Sequence, residues 1–253
     1  MAVWTPEKTR PSMFWPLAVI VIPLVGLLAR IRVRWHGDAA IPRSGAFVLA
    51  PNHYSEIDPL LIAVAVWRMG RAPRFMAKAS LFRVPVLGWL LRVTGMVPVS
   101  RETSASAAKQ TMAQSRTLVE RGRGVIVYPE GTLTRDPDLW PMRGKSGAVR
   151  LALAGEIPLI PVAHWGTGEI MARYGKKVSL WPLRKPVDVL FGEPIDLSDL
   201  AERRSEPAAL VEATERVMNA ITALLEELRG ETAPGARWNP ADHAQKETGR
   251  FES

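Results

Sequence analysis

The chain contains no cysteine, three tyrosines and four histidines in 253 residues. Without cysteine there is no disulfide, no thiolate metal site and no cysteine nucleophile. Such a composition fits a reducing compartment. Acidic residues are the minority charge: 25 Asp and Glu against 33 Lys and Arg leave a net charge of +8. That surface attracts an anionic partner, and nucleic acid, an anionic membrane and a phosphorylated substrate all qualify. A long unbroken apolar run is also lacking. The stretch from Met13 to Ala29 (MFWPLAVIVIPLVGLLA) is interrupted by Pro16 and Pro23. It falls short of the roughly 20 residues that span a bilayer. Its flanks show neither the strong basic cluster nor the small-x-small site of a cleaved signal. No metal site is predicted, because His36, His164 and His243 show no paired spacing and no nearby acidic cluster. A P-loop, a dinucleotide fingerprint and a hydrolase nucleophile elbow are likewise missing.

Tryptophan is abundant, at 9 against 6 Phe and 3 Tyr. Its ring is apolar while its N–H needs a partner, which suits a membrane–water interface as well as a core. Residues 1–33 therefore read as a membrane-associating segment, with Trp4, Trp15 and Trp35 near its edges and Arg30, Arg32 and Arg34 at the headgroups. A full span and a buried core helix are the alternatives for this segment.

From residue 34 to 230, apolar strands alternate with helical stretches. Strands are predicted at Ala46–Ala50, Arg74–Ala77, Met96–Val99, Gly124–Tyr128, Leu159–Ala163 and Val187–Phe191. Helices are predicted at Leu60–Met69, Pro85–Val93, Ala105–Glu120 and Gly147–Ala154. A last amphipathic helix runs from about Pro207 to Gly230. The pattern predicts an α/β fold with a mixed, mostly parallel sheet flanked by helices. Residues 231–253 read as a polar flexible tail.

His53 follows an apolar strand and precedes a helix start, where open α/β sheets place ligands. Imidazole titrates in the range a general base needs, and a carboxylate behind its other nitrogen fixes the tautomer. Asp58-Pro59 is a helix-start pair, with Asp as cap and Pro in the first turn. On an unbroken helix, five steps would set His53 and Asp58 roughly 140° apart. Only a turn before the helix brings them together. Glu56 is a rival partner, and a plain cap beside a loop histidine is the simpler reading of the pair alone. A second candidate is Glu130-Gly131-Thr132 after a buried strand, with Arg135, Arg143 and Lys145 close behind. Glycine permits close approach to a ligand, and the bases can neutralise a phosphate. Lys78 and Arg101 each follow a short predicted strand.

Taken together, these blocks resemble the lysophosphatidic acid acyltransferases, the 1-acylglycerol-3-phosphate O-acyltransferases of the glycerolipid acyltransferase superfamily. The family's histidine–four residues–aspartate signature is matched by Asn52-His53-Tyr54-Ser55-Glu56-Ile57-Asp58. Similar second, third and fourth blocks occur around Ala77–Arg101, Tyr128–Thr132 and Ile157–Ala163, in the family's order. The resemblance implies that His53 deprotonates the acceptor hydroxyl and that Asp58 orients it. It implies that Asn52, Glu130, Gly131 and Thr132 help bind the substrate, with Lys78, Arg101, Arg135 and Lys145 near its phosphate. It implies acyl-CoA or acyl carrier protein as co-substrate, a lysophospholipid acceptor and no cofactor or metal. It also implies an enzyme of the cytoplasmic face of the cell membrane, peripheral or monotopic, with no nucleic-acid partner. Where many members carry Arg after Glu-Gly-Thr, this chain has Leu133, and where an acidic residue often precedes the second block's Arg it has Ser100. Glycerol 3-phosphate or another lysophospholipid thus stays open as acceptor, as does a phospholipid-donor transacylase. A non-catalytic membrane-binding lipid module is the alternative from another class.

Overall fold

The computed structural model describes residues 14–37, 41–99 and 105–246. Its centre is a five-stranded sheet built from β1 (Ala29–Trp35), β2 (Phe47–Pro51), β5 (Gly124–Ile126), β6 (Leu159–Trp165) and β7 (Lys185–Phe191) in the order β1-β7-β6-β2-β5. β1 runs parallel to β7, and β2 parallel to both β5 and β6; the β6–β7 pairing alone is antiparallel. A small parallel pair, β3 (Met76–Lys78) and β4 (Val97–Val99), joins the β5 edge through a bridge from Phe75 to Ile126. The α/β architecture expected from the sequence is present.

The alternation along the strands divides the core into two layers. Val48 and Ala50 of β2 and Val125 of β5 face one side. There they pack with α4 (Ala105–Arg121), α5 (Gly147–Gly155) and α6 (Pro207–Arg229). Phe47 and Leu49 of β2 and Ile126 of β5 face the other, against α1 (Phe14–Leu28) and α2 (Asp58–Arg68). Period-2 strands covered by helices on both faces need apolar side chains in both directions, which is why β2 and β5 are buried throughout. α3 (Pro85–Val93) lies apart from this core and buries only Gly88.

Two expected boundaries change. Ala29–Trp35 forms the edge strand β1 of the main sheet rather than part of a separate N-terminal segment. Ala29 and Ile31 turn inward while Arg30 and Arg32 turn out, and Arg32 pairs with Asp188 of β7. The boundary after residue 33 therefore falls inside a strand of the main sheet. The expected tail is ordered as far as residue 246. Trp238 accepts a hydrogen bond from the Arg143 amide at 2.9 Å and stacks on His243 at 3.5 Å, and the Ala233 amide donates to Glu226 Oε1 at 2.8 Å. Polar composition suggested a loose tail; the α6 carboxylates Glu226 and Glu215 instead hold it, bonding the Ala233 amide and Arg237.

α1 is 15 residues long. Among the described residues no helix is long and apolar enough to cross a membrane. Val25 of α1 enters the core, while Val19, Ile20, Leu24 and Leu27 remain exposed. Trp4 and the rest of residues 1–13 lie outside the described residues.

Candidate active site

The site forms where three parallel strands end. β2 and β5 pair with Phe47 opposite Gly124 and Leu49 opposite Ile126. Continued beyond the ladder, that register sets His53 across from Glu130. The contact is present: the His53 amide donates to Glu130 Oε1 at 3.0 Å. The His53 carbonyl accepts from the Thr134 amide at 2.7 Å. Both backbone groups of His53 are thus fixed by the segment that follows β5.

Between β2 and α2, residues 53–58 fold back on themselves. Asp58 Oδ2 accepts from the amides of Tyr54 and Ser55, each at 2.8 Å, and lies 3.0 Å from His53 Nδ1. The expected cap is corrected here. Asp58 is already the first residue of α2, and its carboxylate serves the preceding turn rather than the amides of its own helix. Glu56, the rival partner, is exposed.

Asp58 is fully buried. Burial opposes its ionisation, yet the adjoining imidazoles of His164 and His53 and the hydrogen bond from His53 hold its carboxyl below the usual range. An ionised carboxylate only accepts, so the proton between the two residues sits on His53 Nδ1. Nε2 then presents a lone pair. The His53 side chain is 16% exposed, and its ring stacks on Tyr128 with centroids 4.1 Å apart. Tyr128 in turn faces Phe75, ring to ring, at 6.3 Å.

Sequence reasoning missed His164. It lies at the C-terminal end of β6, beside β2, and is completely buried. Its Nε2 is 2.9 Å from the Asn52 carbonyl oxygen and 3.6 Å from Asp58 Oδ2. A carbonyl can only accept, so Nε2 carries the proton. Burial pushes the His164 imidazole down, which keeps it neutral at pH 7. A buried position after the fourth block was the one available signal, and spacing to other histidines did not reveal it. Ser55 Oγ and Tyr54 Oη complete the clamp, bonding Met171 O at 2.7 Å and the Thr167 amide at 3.0 Å.

Other expected binding residues distribute unevenly. Asn52 does not face the cleft. Its side chain exchanges two bonds with the His164 backbone, at 3.1 and 2.9 Å, extending the β2–β6 ladder by one side-chain rung. Glu130 is also fully buried. Its second oxygen accepts from the Met142 amide at 3.1 Å, and burial raises its carboxyl to about 8. Both residues brace the turn rather than offering free atoms to a ligand. Gly131 takes a left-handed φ of +69°, and the exposed Lys145 lies over it, close enough that a Cβ there would come 3.2 Å from Lys145 Cδ. Thr132 is half-buried beside it. Arg135 is buried in the next turn, where Arg173 Nη1 also bonds Thr134 O at 2.9 Å. Leu133, standing where many family members carry Arg, turns into the interior. Lys78 is exposed at the end of β3, as far beyond Phe75 as Pro129 lies beyond Ile126. Arg101 lies outside the described residues.

An apolar cavity of about 320 Å³ runs along α2. It is lined by Pro59, Leu60, Ala63 and Trp67 of α2, with Ile22 of α1 and Phe75 among its walls. Pro59 to Trp67 spans ~12 Å of helix. Among the described residues no three His, Cys, Asp or Glu side chains converge as a metal site would.

A partly open imidazole backed by a buried carboxylate, with an apolar groove along the following helix, suits acyl transfer to a hydroxyl, and the family model described as Acyltransferase matches residues 32–165. The chain belongs to that family. It is 32% identical to the chloroplastic 1-acyl-sn-glycerol-3-phosphate acyltransferase BAT2 of Brassica napus over 124 residues, covering 49% of this chain and 34% of the relative. The chain therefore spans about a third of the length of that plant relative. It is 29% identical to the lyso-ornithine lipid O-acyltransferase of Rhizobium meliloti, over 85% of this chain and 77% of the relative. The crystal structure of the 1-acyl-sn-glycerophosphate acyltransferase PlsC from Thermotoga maritima is similar, with a TM-score of 0.52 and 25% identity. That match covers 82% of this chain and 73% of the other.

Proposed function

We propose that this family member transfers a fatty acyl group from a thioester of coenzyme A or acyl carrier protein to the free hydroxyl of 1-acylglycerol-3-phosphate, giving phosphatidic acid at a membrane surface. The observation that carries the reading is the His53–Asp58 pair: a partly open imidazole backed at 3.0 Å by a wholly buried, ionised carboxylate.

In this mechanism His53 Nε2 takes the proton of the acceptor hydroxyl as its oxygen attacks the thioester carbonyl carbon. Asp58 stabilises the imidazolium that results. The tetrahedral intermediate collapses by breaking the carbon–sulfur bond, and His53 returns its proton to the departing thiolate. No acyl-enzyme forms. Lys145 beside Gly131, with Lys78, Arg101 and Arg135, supplies positive charge for the acceptor's phosphate. The groove along α2, the helix that Asp58 opens, receives an acyl chain, since its lining is apolar. Asn52 and Glu130 hold the turn that carries His53.

The test is turnover by purified protein with palmitoyl- and oleoyl-CoA against a panel of lysolipids, with products resolved by mass spectrometry. Phosphatidic acid as main product supports the reading. Thiol release without acylated lipid overturns it. A lysolipid lacking an exposed phosphate is the second reading, favoured by Leu133 in place of the family's frequent Arg and by the likeness to a lyso-ornithine lipid O-acyltransferase.

A further inference from the structure

The segment between β6 and β7 leaves the active site, runs over the surface and returns beside α1. Its start is tied to the turn holding His53 through the bond from Ser55 Oγ to Met171 O. Its end is tied to α1, because the Arg184 amide donates to Leu27 O at 3.0 Å. Between these ties, every residue from Lys176 to Arg184 (KKVSLWPLR) is exposed. Trp181 is 81% exposed and Leu180 62%, with Val178 and Leu183 also in solvent.

This exposure is held in place. The Ser179 amide donates to Ile170 O at 2.7 Å. Lys185 is buried, and its ammonium bonds the carbonyls of Ser179 and Pro182, both at 2.9 Å. A buried cation is thus used to pin a loop whose apolar side chains point away from the protein. The charge around that tip has one sign: Lys176, Lys177 and Arg184 flank it, and no acidic residue occurs between Glu169 and Asp188. The neighbouring end of α1 exposes Leu24 and Leu27, so the apolar surface continues across the Arg184–Leu27 bond.

We infer that the loop 176–184 is a bilayer-contacting element. Trp181 and Leu180 enter the interfacial layer of an anionic membrane while Lys176, Lys177 and Arg184 meet lipid phosphates. It would seat the mouth of the site against the bilayer from which a lysolipid arrives. The inference rests on the reading that the acceptor is a membrane lipid. An amphipathic indole and a ring of bases fit a headgroup boundary, whereas a purely apolar partner would leave the bases without counter-charges.

The test uses the full chain and phosphatidylcholine vesicles with and without phosphatidylglycerol. Two variants, Leu180→Ser with Trp181→Ser and Lys176→Glu with Lys177→Glu, are compared with wild type. Each should lose roughly tenfold or more in affinity for the anionic vesicles. Turnover of detergent-dispersed lysolipid should stay within about twofold of wild type, which also shows that the variants fold. Vesicles carrying a doxyl-labelled lipid should quench a share of the wild-type tryptophan emission that Trp181→Phe removes. Unchanged vesicle binding by both variants overturns the inference. So does a wild-type dimer that Trp181→Ser dissociates, since the tip would then be covered by a second copy. Lost vesicle binding in a protein that transfers no acyl group would sink the functional proposal and leave the loop's role standing.

Discussion

Glu130 holds His53 by the backbone: its Oε1 accepts the His53 amide at 3.0 Å, across the gap between the ends of β2 and β5. The same carboxyl accepts the Met142 amide and has no exposure. Burial raises it to about 8, against 4.5 in an open chain. The folded protein therefore keeps a proton there that the unfolded chain releases. This stabilisation is complete below about pH 4.5 and is lost as pH rises through about 8. Thermal unfolding followed between about pH 5 and 9 should show stability declining with a slope approaching one proton, ~1.4 kcal/mol per pH unit from about pH 5.5 to 7, and levelling off above about pH 8. Glu130→Gln should remove that part of the slope. Parallel curves for the two proteins would show that Glu130 does not titrate there.

Asn52 separates two roles that a sequence cannot. As a substrate contact, its loss would raise KM. As the side-chain rung between β2 and β6, its loss strands the buried N–H and C=O of His164. Each stranded group costs ~1–3 kcal/mol. Asn52→Ala should lower stability by roughly 2–6 kcal/mol and reduce kcat more than it raises the lysolipid KM. A normal melting point with a raised KM would restore the substrate-contact role.

The groove along α2 makes a prediction about chain length. Ala63 is half-buried in its wall, between Leu60 and Trp67. A phenyl ring placed there fills part of a cavity of about 320 Å³. Ala63→Phe should shift the preference toward shorter acyl donors, read as relative kcat/KM across an acyl-CoA series. An unchanged preference would place the acyl chain elsewhere.

The legibility of this chain follows from which forces are local. Strand periodicity and the apolar face of α6 could be read directly, since burial on a sheet or helix imposes its own spacing. β1 was hidden because its outward arginines resembled a membrane flank; the alternation of Ile31 and Val33 with Arg30, Arg32 and Arg34 was its one signal. His53 and Asp58 were legible as a pair, but their contact depended on a turn stabilised by amides of Tyr54 and Ser55. His164 and the inward aim of Asn52 and Glu130 were not legible. They arise from register between strands more than seventy residues apart, which one-dimensional spacing does not encode.

Loss of the buried carboxylate behind His53 should act through the ring. Asp58→Asn cannot hold Nδ1 as the donor with the same strength, and turnover should fall by roughly 10²–10⁴. Because Oδ2 also accepts two backbone amides, some stability should be lost with it.

The most direct measurement is coenzyme A release and phosphatidic acid formation from oleoyl-CoA and lysophosphatidic acid by wild type and His53→Ala, prepared alike and checked by thermal unfolding. A folded His53→Ala protein with turnover down by at least about 10³ is the predicted result. Wild-type turnover in that variant would contradict the assignment of His53 as the base.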